Sequence, residues 1–165
     1  RRQLGPTEEH RGLHEGNVDV ILYGGGRHGT LIANSLTATG WRVLVVDIDP
    51  DALKQCRRQG LEVIYGDAED PEFLLSLPLE HARWIVSTVR GADINLALVH
   101  GLRAASYAGQ IAITAHDPIE AQRLENVEVD VVIAPFAVAA ERLVDTLVVA
   151  PPDTEPVTEA EAAKD

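Results

Sequence analysis

The sequence predicts an α/β fold of the doubly wound kind: a parallel six-stranded sheet, Rossmann-like, in the order 321456, with helices on both faces. Three observations predict it. Short apolar runs of strand type alternate with helical patterns along residues 18–148. The first run ends in Gly24-x-Gly26-x-x-Gly29 and passes straight into a helical pattern. The second run ends in an acid, Asp47.

Taken in order, residues 1–17 are polar, rich in Gly, Glu, His and Arg, without period, and read as a linker. Val18–Tyr23 is the first strand. From His28 to Thr39, Leu31, Ile32, Ala33, Leu36 and Ala38 recur at helical spacing, and Gly40 stops the helix as a left-handed cap. Arg42–Asp47 is the second strand. Asp49-Pro50 then supplies an N-cap with proline at the first helical position, for a helix running to about Gln59.

Glu62–Tyr65 is a short third strand, and Asp70-Pro71 caps a helix over Glu72–Leu77. Arg83–Thr88 is the fourth strand. Ala92–Ser106 is apolar on nearly every side, which suits burial within the domain or contact with another chain equally well. Gln110–Thr114, a helix from Asp117-Pro118 to about Leu124, and Val129–Ile133 follow. Pro135 opens a last helix with Ala140, Leu143, Val144, Leu147 and Val148 on one stripe, suited to a core or to a dimer contact. Pro151-Pro152 stops it, and the acidic stretch 151–165 reads as disordered.

Composition agrees with this plan. Of the 165 residues, 45% are hydrophobic and only 4% aromatic, so Val, Leu, Ile and Ala must build the core. The single cysteine, Cys56, excludes an internal disulfide and leaves no zinc cluster, which favours a reducing, cytoplasmic setting. There is no Met, even at position 1, which marks a piece of a longer protein; no signal peptide and no membrane-length apolar run is present. The formal charge is −12, with −4 of it in residues 153–165 and none in residues 1–17. An acidic body without a basic stripe excludes nucleic acid as a partner.

The glycine-rich turn carries the chemistry. One glycine turns the chain, one lets backbone approach a phosphate, and one lets the helix pack on the strand. The helix start offers N–H groups and the positive end of its dipole to an anion. Asp47, 18 residues after Gly29, is placed to accept from both ribose hydroxyls of an adenosine, and its charge would repel a 2′-phosphate, so NADP is disfavoured.

Five stretches taken together resemble the RCK N-terminal, or TrkA-N, domain over residues 18–148. They are Gly24-Gly-Gly-Arg-His-Gly29, Val46-Asp47-Ile48-Asp49-Pro50, Tyr65-Gly66-Asp67-Ala68-Glu69-Asp70, Gly109-Gln-Ile-Ala-Ile-Thr114 and Ala134-Pro135. The nearest branch resembles the cytoplasmic C-terminal domain of Kef-type bacterial cation:proton antiporters.

The resemblance implies a non-catalytic regulatory module on the cytoplasmic side of the cell membrane. Such a module binds NAD(H), AMP, ADP or ATP, pairs as a homodimer, and gates a transmembrane antiporter domain of the same polypeptide, without entering the membrane itself. It implies that Gly24, Gly26 and Gly29 line a pyrophosphate, Arg27 reaches a distal phosphate, and His28 adjoins it. Asp47 with Ile48 would meet the ribose, Asp67 and Ala68 the adenine, and Thr88 would close the edge. Two departures stand out: His28 replaces an apolar or aromatic residue, and Asn126–Asp130 replaces a Gly-Ala-Asp turn.

Each residue also has a plainer reading. Arg27 could be a solvated first-turn side chain, His28 a surface histidine, and Asp67 a loop cap. Asp49 reads as an N-cap, His100 and His116 as ordinary helix and loop residues without metal spacing, and Cys56 as inert. The competing class is an NAD-dependent short-chain oxidoreductase or epimerase. It needs a proton donor such as Tyr-x-x-x-Lys, yet the only lysines are Lys54 and Lys164, and Ile111 stands four past Tyr107.

Overall fold

The computed structural model describes residues 17–149. The readings of residues 1–17 as a linker and of 151–165 as a disordered tail lie outside the described residues, except for Asn17, which is exposed. Twelve elements alternate: β1 (Val20–Tyr23), α1 (Arg27–Ala38), β2 (Val43–Asp47), α2 (Pro50–Arg58), β3 (Glu62–Tyr65), α3 (Pro71–Ser76), β4 (Trp84–Ser87), α4 (Ala92–Ala104), β5 (Gln110–Thr114), α5 (Pro118–Leu124), β6 (Val131–Ile133) and α6 (Pro135–Val149). The sheet order is β3-β2-β1-β4-β5-β6 and every pairing is parallel, as the sequence predicts.

Burial explains why β1 is central. Val20, Ile21, Leu22 and Tyr23 are all buried, whereas edge strand β3 buries one residue of four and β6 none. Alternate residues feed opposite layers. Ile21, Tyr23, Leu44 and Val46 join Leu74 of α3 and Leu98 and Leu102 of α4, while Val20, Leu22, Val43 and Val45 join Ala33 of α1 and Cys56 of α2. Fully burying each such aliphatic side chain stabilises by roughly 1.5–3 kcal/mol.

Three helices start as their Asp-Pro pairs predict. Asp49 accepts from Asp51 N, Asp70 from Glu72 N and Phe73 N, and Asp117 from Ile119 N and Glu120 N, each with proline in the first turn. Gly40 closes α1 with φ 89°, the left-handed cap expected of it. On α4 the domain buries Ala92, Asn95, Leu98, Val99 and Leu102, while Ile94 and Leu96 are only partly buried.

All the strands and the first five helices lie in a compact unit ending at Pro135; from Phe136 the chain forms a second unit. Within that second unit no residue of α6 is buried. Leu143, Val144, Leu147 and Val148 are 55–74% exposed. Among the described residues, no helix is long and apolar enough to cross a membrane, and no group of three or more His, Cys, Asp or Glu could hold a metal ion.

Candidate functional site

The predicted site residues come from four neighbouring segments, all at the C-terminal ends of parallel strands: the β1–α1 turn and the residues after β2, β3 and β4. The β1–α1 turn separates the glycines by what each requires. Gly24 has φ 101°, and a Cβ there would strike Thr88 Oγ1. At Gly29 a Cβ would collide with the Gly24 carbonyl oxygen and stand 2.9 Å from Thr88 Oγ1. Gly26 is different: its φ is −69°, and a Cβ there would meet nothing within 4 Å. The fold itself therefore demands glycine at 24 and 29, while Gly26 faces open space.

Thr88 is the brace beneath this turn. It is 9% exposed, its N donates to the Tyr23 carbonyl at 2.8 Å, and its hydroxyl reaches the Gly24 and Tyr23 carbonyls at 3.1 and 3.2 Å. Its single O–H is taken up by the scaffold, so Thr88 supports the turn from below. Behind the turn, buried Cys56 brings Sγ to 3.5 Å from the Gly25 carbonyl and 3.6 Å from Thr30 Oγ1.

Asp47 is half-buried and tied to the turn. Its Oδ2 accepts from Gly25 N at 2.6 Å and its Oδ1 from Asp49 N at 2.8 Å. Each oxygen of an ionised carboxylate has a second acceptor position, so both can still take a hydroxyl donor. Ile48 beside it is 57% exposed.

The start of α1 carries no side-chain cap and no acid in its first turn. Arg27, the first helical residue, is exposed, and no described residue pairs with its guanidinium; His28 is half-buried. After β3, Asp67 is exposed and its Oδ1 accepts from Glu69 N at 2.9 Å, the loop-cap contact of the plainer reading. Ala68 packs partly against the core.

Several residues that shape this edge were not singled out from sequence. Asn95, fully buried on α4, takes a hydrogen bond from Ser87 Oγ at 2.6 Å and donates to the Val89 and Gly91 carbonyls, which fixes the β4–α4 loop. Glu120 accepts from Gly91 N at 2.7 Å and from His116 N at 2.8 Å, joining that loop to the one after β5. The available signal was a polar Asn at the helical spacing of buried Ala92, Leu98, Val99 and Leu102.

Fold and turn together define a Rossmann-type domain whose middle glycine is open at the strand ends. The chain belongs to the TrkA-N domain family, whose model matches residues 20–135. The family resemblance read from the sequence therefore holds.

Solved structures of similar fold include the TrkA-N domain of the inner membrane protein ybaL from Escherichia coli, with 22% identity and TM-score 0.72, covering 81% of this chain and 99% of that one. Another is the Kef CTD of Shewanella denitrificans in AMP-bound form, with 22% identity and TM-score 0.66, covering 82% of each. A third is the GsuK channel bound to NAD, with 21% identity and TM-score 0.68 over 78% of this chain but 23% of that one.

Proposed function

We propose that residues 18–150 form a non-catalytic sensor of an adenine nucleotide, NAD(H) or AMP, ADP or ATP, which gates an attached cation:proton antiporter. The observation that carries this reading is Gly26. Its backbone torsions suit any residue and no protein atom crowds it, so the fold does not call for glycine there; the close approach of a phosphate does. Around it, the first N–H groups of α1 have no side-chain cap, Arg27 is available to a distal phosphate, and Asp47 keeps acceptor capacity for a ribose.

Asp67 and Ala68 flank the base and Ile48 covers one side in this reading, with His28 next to the phosphates. Similar folds support the ligand class: a GsuK channel bound to NAD, a GsuK bound to ADP and a Kef CTD bound to AMP. Nucleotide occupancy biases transport by favouring one arrangement of a domain pair over another. The exposed stripe of α6 is the surface offered for pairing as a homodimer, on the cytoplasmic side of the membrane.

Calorimetric titration with NADH, NAD, AMP, ADP and ATP, beside sizing with and without ligand, tests the reading. Saturable binding of at least one is expected; heats indistinguishable from dilution for all five would sink it. Incubation with NADH and a panel of carbonyl compounds is expected to give no cofactor oxidation above background.

A further inference from the structure

The peptide between Gly25 and Gly26 is held at its carbonyl end by two side chains. Thr30 Oγ1 donates to the Gly25 carbonyl at 3.0 Å, and Cys56 Sγ, buried on α2, lies 3.5 Å from the same oxygen. The other amides of the turn are engaged too: Gly25 N donates to Asp47 at 2.6 Å and Gly24 N to the Val46 carbonyl at 2.9 Å. Gly26 N–H is left over. It donates to nothing among the described residues, and Gly26 is exposed.

Thr30 does not behave as Thr37 and Thr146 do. Each of those donates at 2.8 Å to the carbonyl four residues back in its own helix, the usual outlet for a helical hydroxyl. Thr30 passes over the Gly26 carbonyl in that place and reaches one residue further, out of α1 and into the turn. A valine would keep the β-branched shape, so the helix does not account for the oxygen.

A trans peptide is planar, and its N–H points opposite to its C=O. A carbonyl drawn to Thr30 and Cys56 therefore turns the Gly26 N–H away from buried Cys56. The clamp matters because this peptide lies between two glycines. Glycine accepts either sign of φ, so no side chain resists turning the plane over. Turned over, it would offer a carbonyl oxygen where an anion is to bind.

We propose that Thr30, seconded by Cys56, is a positioning residue for the phosphate: its hydroxyl locks the Gly25–Gly26 peptide in the orientation that aims the Gly26 N–H at a phosphate oxygen. The proposal rests on the nucleotide reading and adds to it the residue that keeps the turn ready before ligand arrives. Thr30 acts through the backbone, so its effect falls on the phosphate contact and spares the nucleoside end.

The test is Thr30→Val, with AMP, NADH and adenosine titrated calorimetrically into the purified chain and its variant. AMP and NADH affinities are expected to fall about five- to tenfold, the scale of one hydrogen bond to an ion, while adenosine affinity changes less than about twofold. Thr30→Ser keeps the hydroxyl and is expected to stay within about twofold of the unaltered chain for all three ligands. If melting curves show that Thr30→Val does not fold, Thr30→Ala is read by the same pattern.

Unchanged AMP and NADH affinities without the hydroxyl would overturn the proposal. So would equal losses for adenosine and the phosphate-bearing ligands, or a serine variant as weak as the valine one. If the unaltered chain binds AMP or NADH and one of these patterns appears, only this inference fails; if it binds neither, the functional reading fails with it.

Discussion

Two kinds of helix start stand along the same edge of the sheet. Helices α2, α3 and α5 each begin with Asp-Pro, and the aspartate accepts from first-turn N–H groups. Helix α1 begins with Gly26-Arg27, has no side-chain cap and no acid in its first turn, and opens with a cation. Helix α4 also lacks a side-chain cap of its own, but Glu120 reaches across to its cap residue Gly91. At α2, α3, α4 and α5 the chain supplies a carboxylate from within. At α1 the Asp47 carboxylate is bonded instead to Gly25 N, one residue before the cap. The contrast separates helix starts that are finished by the protein from one that an external anion would finish.

The contrast can be broken most severely at Gly29. Gly29→Ala drives a Cβ into the Gly24 carbonyl, and about 3 kcal/mol of stability is expected to go, together with nucleotide binding, as read from denaturant midpoint and calorimetry. Asp47→Ala comes next: adenosine-nucleotide binding is expected to weaken by ~1.5–3 kcal/mol, the scale of charge-assisted hydrogen bonds. An unchanged dissociation constant would remove Asp47 from the site.

Gly26→Ala sharpens the comparison. With space around the new methyl, the midpoint should move by less than about 1 kcal/mol while nucleotide affinity drops roughly tenfold, or ~1.4 kcal/mol. Loss of stability without loss of affinity would reverse the meaning assigned to that glycine. Asp117→Ala is the converse control at α5: about 1 kcal/mol of stability lost through the missing cap, and nucleotide affinity unaltered. The smallest effect is expected for exposed Arg27→Ala, which should weaken ATP more than AMP by about 0.5–1 kcal/mol. Equal losses for both ligands would detach Arg27 from the outer phosphates.

The sheet was legible because its code is local. Apolar runs of four to six residues, followed within a few positions by Gly, by Asp-Pro or, for the sixth, by Pro135, fixed the strands and the three capped helix starts to within a residue or two. The site was legible where one residue type has one physical reason, as with the glycine turn and Asp47. It was not legible where the partner is remote in sequence. Thr88 was read as closing the edge of the site, and nothing in the sequence showed that its hydroxyl is turned under Gly24, 64 residues away. Glu120 gave no sign of reaching Gly91, 29 residues away, since that contact depends on two strand ends lying side by side.

The chain's only thiol, behind the β1–α1 turn at 0% exposure, makes the protein its own reporter. A disulfide reagent can reach Cys56 only when the packing between α2 and that turn parts, so the labelling rate counts opening events in native protein. A bound anion bridging the turn should slow that clock, and free energy of opening could then be followed ligand by ligand without attaching a dye.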